Sequence, residues 1–208
     1  MRLSKTSKMP CDSFGLPANS ACKTGSKLAQ IPGSVCHKCY ADGRGNYRWT
    51  SVKSLREDNL AETLKALNGR KKEQQAWVLQ LVGLIMQSGK THFRWHDSGD
   101  LQSELHLELI LEVCRLTPEV KHWLPTREYS IVQSVAFEHA IPSNLVIRLS
   151  AHMIGRTIEP CGGFPSSSVD AGVGWQCPAG HNPEHKGQCL SCRACWNPEI
   201  GNIDYKKH

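Results

Sequence analysis

Nine cysteines gathered at the two ends of the chain are the residues best placed to do chemistry. Cys11, Cys22, Cys36 and Cys39 form an N-terminal group, and Cys161, Cys177, Cys189, Cys192 and Cys195 a C-terminal one. Cys36 and Cys39 make a CxxC, whose two thiolates can bite one metal ion. Cys189, Cys192 and Cys195 make a CxxCxxC, the spacing that wraps three thiolates around an iron–sulfur cluster. Both ends are therefore expected to carry metal. A fourth ligand for the C-terminal run would come from Cys177 or Cys161. A third cysteine beyond a CxxC favours a [4Fe–4S] cluster there. The alternative metal is zinc, held tetrahedrally by four of these groups, with His181 or His185 as further candidates. Trp196, directly after Cys195, would shield such a centre from water. The N-terminal group is less regular, and its bland reading is a structural zinc knuckle.

A second constellation lies mid-chain, in Arg94-Trp95-His96-Asp97-Ser98-Gly99-Asp100. Asp97 or Asp100 could hold an amino or hydroxyl group, and His96 could move a proton near neutral pH. Gly99 would let a ligand approach the backbone. The structural reading is an Asx-type turn in which the aspartates cap the next helix.

Hydrophobic periodicity shows what must position these groups. Helices are predicted over 51–68, 73–88, about 104–116 (with Ser103 as N-cap) and 129–139. Strands are predicted over 92–95, 120–124 and 144–149. Pro125-Thr126-Arg127 reads as a turn, Arg70-Lys71-Lys72 as an exposed loop, and Ser166-Ser167-Ser168 as loop. Alternating helix and strand implies a parallel α/β sheet. Its carboxyl ends would gather His96 to Asp100, Thr126-Arg127 and Ser150-Ala151-His152 on one side. Cys114 reads as a buried thiol, His106, His122 and His139 as ordinary histidines, and Trp49, Trp77, Trp123 and Trp175 as core. Residues 1–50 and 151–208 lose periodicity, as expected where metal ligation replaces regular structure. The organisation predicted is one α/β domain: a cysteine-rich segment 1–50, a βα core 51–150 and a cysteine-rich segment 151–208.

The 208 residues suffice for one sizeable core. No apolar run reaches a membrane-spanning length and no secretory h-region follows Met1, so a cytoplasmic protein without a membrane partner is expected. In a reducing cytosol, cysteine clusters are metal ligands more often than disulfides. A net charge of +6 fits nucleic acid or an anionic cofactor, or an ordinary solvated surface.

The segments Lys8-Met9-Pro10-Cys11, Ser34-Val35-Cys36-His37-Lys38-Cys39-Tyr40-Ala41, Phe93 to Asp100 and Cys192-Arg193-Ala194-Cys195-Trp196 together resemble the gene-product-eighty-eight family of phages, named after its mycobacteriophage member. In outline that family is similar to radical S-adenosylmethionine proteins, and the aromatic Tyr40 directly after Cys39 ends the loop as in many of them. The resemblance implies a partial (β/α) barrel-like sheet. Ser98, Gly99 and Asp100 would hold the amino acid end of S-adenosylmethionine, and Arg148 and Ser150 would lie near its ribose. The usual CxxxCxxC is absent, so the third thiolate would come from Cys22 or Cys11. Three readings follow. One is an iron–sulfur enzyme of a phage, acting on a nucleotide or nucleic acid in the host cytoplasm, with one or two [4Fe–4S] clusters. In a close variant Cys11 completes four-thiolate ligation. The last is a zinc-stabilised, non-catalytic module that binds nucleic acid or a host protein. The two cysteine groups could also share ligands through space, which spacing does not report.

Overall fold

The computed structural model describes residues 1–158 and 162–207. Two short strands, β1 (Ser4–Lys5) and β2 (Asp12–Phe14), precede helix α1 (Lys23–Ala29). Helices α2 (Thr50–Asn68) and α3 (Lys71–Gln87) lead into β3 (His92–Trp95). Then come α4 (Glu104–Leu116), β4 (Lys121–Thr126), α5 (Tyr129–Glu138) and β5 (Leu145–Ser150). The last segment adds β6 (Ser166–Val169), β7 (Trp175–Gln176), the short α6 (Pro178–His181) and β8 (Asn202–Tyr205). Ser103 caps α4 as predicted, its Oγ accepting from the His106 N–H at 3.2 Å.

The strands form one sheet in the order β1-β2-β3-β4-β5-β6-β8-β7. Only the β1–β2 pair is antiparallel. From β2 to β6 spatial order follows chain order, so crossovers of one hand put the helices on one face. That face carries the main core: Phe14, Phe93, Trp95, Leu124, Ile147 and Leu149 from strands, with Trp77, Leu81, Leu107 and Ile110 from helices. Trp77 stacks on Trp95 with centroids 6.4 Å apart. Because strand side chains alternate, Arg94, Trp123 and Arg148 point to the opposite face. The 3-10 turn Ala194–Trp196 covers it, with Trp196 and Trp123 in edge contact at 5.5 Å.

Several sequence expectations are corrected. Residues 1–50 and 151–208 are not devoid of regular structure: β2 extends the sheet on one side, and β6, β8 and β7 on the other. These strands carry no apolar alternation of their own; β6 is Ser-Ser-Ser-Val. The open ladders of β3 and β5 recruit them. Pro125 and Thr126 belong to β4 rather than to a turn, and Pro125 is tolerated because the β3 ladder has already ended at Trp123. Lys71 and Lys72 open α3, where Arg70 is the N-cap and its N–H donates to Glu73 at 2.8 Å. Trp49 and Trp175 are exposed, while Trp77 and Trp123 are core. No helix of the described residues is long and apolar enough to cross a membrane.

Candidate functional site: two thiol groups

Cys22, Cys36 and Cys39 converge from three turns of the chain on the carboxyl ends of the central strands. Cys22 immediately precedes α1, and backbone bonds dock this region on the β3 end. Leu16 N donates to Ser98 O at 2.9 Å, and Asp100 N to Ala21 O at 2.8 Å. The Glu128 carboxylate accepts from the Thr24 N–H at 2.8 Å and its hydroxyl at 2.9 Å. The CxxC loop is tied to the β5 end, where Val35 N donates to His152 O at 2.9 Å. The negative charge each thiolate would carry opposes that of the others and of Asp100. Burial and the neighbouring Asp100 push Cys22 up to about 12, and burial raises Cys36, partly offset by the Arg127 guanidinium. Gly25 faces the group: a Cβ there would sit 2.9 Å from Cys22 Cβ, 3.6 Å from Cys36 Sγ and 3.7 Å from Cys22 Sγ. A bare backbone thus leaves a cradle between two sulfurs that a methyl group would fill.

Asp100 stands beside this cradle. Its carboxylate accepts from Thr126 Oγ1 at 2.6 Å, Leu101 N at 2.8 Å and Arg127 N at 2.9 Å. Burial raises its pKa to about 6 against those bonds. The three polar strand ends predicted to share one side therefore do so. Tyr129 links the third, donating to Ser150 O at 2.5 Å and stacking on His152 at 4.8 Å.

Of the other residues of the mid-chain motif, His96, Asp97 and Ser98 are buried. Asp97 is in a buried ion pair with Arg56 at 2.7 Å, and its carbonyl accepts from Tyr40 Oη at 3.1 Å. Ser98 Oγ donates to Leu16 O and accepts from Arg56 Nε, both at 2.6 Å. Gly99 has φ +78°, and a Cβ there would meet Leu16 Cβ at 2.4 Å, so the turn admits only glycine. His96 is buried beside His106, with ring centroids 5.3 Å apart and neither ring nitrogen hydrogen-bonded. Burial holds its pKa far below the usual histidine range, so the ring is neutral rather than titrating near pH 7.

The second group gathers at the covered face of the sheet, and it includes Cys11. The Cys189 N–H donates to Lys8 O at 2.9 Å, and Cys11 is close enough to Cys189 and Cys195 for their charges to raise its pKa. Cys11 packs with Trp123 and Trp196. The topology therefore assigns Cys11 to the C-terminal thiols, which chain position does not disclose. Cys177, Cys189, Cys192 and Cys195 line one small cavity. Cys195 Sγ lies 3.3 Å from Tyr205 Oη. Cys161 lies outside the described residues. None of the nine described cysteines is in a disulfide, and no three Cys, His, Asp or Glu side chains among the described residues are drawn together to coordination distance.

Arg148, implied by resemblance to lie near a ribose, is fully buried at the covered face. Its guanidinium donates to Ile200 O and Asn197 O at 2.8 Å, Ser166 O at 3.1 Å and Ala194 O at 3.3 Å. It ties the turn after the CxxCxxC to β5 and β6. Arg56 was missed by sequence reasoning; the only signal was a basic residue among the apolar positions of α2. A cavity of about 570 Å³ lies at the far edge, between β1–β2 and the end of α3, and of the candidate residues only Cys11 lines it.

No curated protein and no solved structure matches this chain. A family model described as Gene product 88 matches residues 2–198, most of the chain, so the chain belongs to that phage family.

Proposed function

We propose that this chain is an iron–sulfur protein whose working centre is held by Cys22, Cys36 and Cys39. The carrying observation is the convergence of these three thiols over the carboxyl ends of β3, β4 and β5, across the gap at Gly25 and beside buried Asp100. Parallel α/β sheets present ligands at that end. The donor set fits the group: three thiolates are the local ligation of a cluster, and a fourth thiol does not accompany them, since Cys11 joins the other group. A [4Fe–4S] cluster so held would supply one-electron chemistry and an iron open to a further ligand. S-adenosylmethionine is the ligand that the family resemblance implies there. The chain's own residues would set the environment. Arg127 offsets the thiolate charge, and Asp100, held by Thr126 and the Arg127 N–H, fixes the turn that faces the centre. Tyr40, anchored on the Asp97 carbonyl, lies at the exit of the CxxC. The net charge of +6 supports a nucleotide or nucleic acid as the substrate class, in the reducing cytoplasm of a phage host.

One observation favours the non-catalytic reading. Asp97, Ser98 and Arg148 are committed to internal partners, which leaves fewer free groups for a substrate. One experiment separates the two. Iron, acid-labile sulfide, zinc and the optical spectrum are measured on protein purified without oxygen. Brown protein with iron and sulfide near four per chain supports the proposal, and cleavage of S-adenosylmethionine under reduction is tested next. Colourless protein holding zinc alone overturns it and leaves a binding module, to be checked by salt-dependent DNA binding.

A further inference from the structure

We infer that Cys177, Cys189, Cys192 and Cys195 form a mononuclear tetrathiolate zinc site, not a second iron–sulfur cluster, and that this ion fastens the C-terminal segment over the sheet. The CxxCxxC spacing by itself favours a cluster; the geometry points elsewhere. The four thiols line one cavity, roofed by Trp175 and Trp196. That cavity is small, about 10 Å³, room for about one atom. The four sulfurs do not stand at coordination distance in this structure, and a single ion with bonds of about 2.3 Å to sulfur would draw them in around that space.

Cys11 sits behind this group, buried against Trp123 and Trp196 and outside the cavity lining. All four ligands come from the loop region between β7 and β8, so the ion closes that region on itself. Arg148 then ties the turn beside it to β5 and β6.

The inference stands independently of the iron reading, and its test keeps the two apart. Zinc, iron and sulfide are counted in the full chain and in Cys189→Ser/Cys192→Ser and Cys36→Ala/Cys39→Ala variants. The expected result is one zinc in the wild type, none in the first variant with iron retained, and one zinc in the second with iron lost. Zinc retained in the first variant, or iron and sulfide lost from it in place of zinc, overturns the inference. One zinc with no iron anywhere leaves it standing and sinks the iron proposal. Should the first variant fail to fold, cobalt titrated into metal-free wild-type protein decides. Saturation at one equivalent, with a strong thiolate-to-cobalt charge-transfer band and tetrahedral visible bands, supports the site. Cobalt bound without that band, or no saturation at one equivalent, refutes it.

Discussion

Each thiol group is anchored by a buried arginine, and the two arginines work differently. Beside the N-terminal trio, Arg56 meets a carboxylate, Asp97, with both side chains less than a tenth exposed. At the C-terminal quartet, Arg148 meets no carboxylate and gathers four main-chain carbonyls. An ion pair fixes two elements, α2 and the β3 turn, and leaves the strand ends open above them. A carbonyl clamp instead gathers a loop that has no regular structure to satisfy its own acceptors. The difference matches the proposed roles: three thiols at an open end with Asp100 nearby, against four thiols closed around a small space under tryptophan cover.

Substitutions at the two arginines should break the comparison most strongly. Arg56→Met leaves the Asp97 carboxylate buried without its cation, and a cost of about 3–5 kcal/mol is expected in denaturant unfolding. It should lower iron content and leave zinc in place. Arg148→Met strands the carbonyls of Ala194, Asn197 and Ile200 and should cost about 3 kcal/mol. Here zinc should fall and iron persist. Equal loss of both metals in either variant would show that the two regions are one unit.

Acid tests the sheet face that belongs to neither group. Burial lowers His106 to about 3 and His122 to about 4, from an ordinary 6.5. Both rings are neutral when folded and take up a proton near 6.5 when unfolded. Their contribution is therefore complete above pH 6.5 and is lost as pH falls from there towards 4 and below. Each should remove up to about 1.4 kcal/mol per pH unit in that window. Melting temperatures at pH 7 and 5 should show a smaller loss in His122→Gln than in the wild type.

The smallest stability effect belongs to Gly25→Ala. The added Cβ meets Cys22 Cβ at 2.9 Å, which should cost about 1 kcal/mol as the neighbour shifts. Iron content should nevertheless drop sharply while zinc is unchanged, because the methyl group occupies the space between Cys22 and Cys36. Full iron retention in this variant would separate the cradle from the cluster.

Much of the frame is legible in the residues themselves. The helices α2 to α5 and the strands β3 to β5 carry their own apolar periodicity, which survives without tertiary context. The Ser103 cap and the placement of polar groups at the strand ends follow from them. The flanking strands were not legible, because β2 and β6 are short and polar and exist only where an open ladder receives them. Nor was the role of the mid-chain motif: Asp97, Ser98 and His96 carry the residue types of a site, but their partners Arg56, Leu16 and His106 come from elsewhere in the chain.

By itself, the sequence determined that thiols are concentrated in two stretches, that an α/β core lies between them, and that polar residues follow its strands. These are consequences of residue type and local spacing. Only the tertiary structure decided which thiols lie near one another. It moved Cys11 from the N-terminal stretch to the C-terminal group, left Cys22, Cys36 and Cys39 as a trio at the strand ends, and set the size of the space among the last four. The physical reason is that ligation depends on through-space distance, and a parallel sheet brings residues scores of positions apart onto one edge while separating neighbours in the chain to its two ends and two faces.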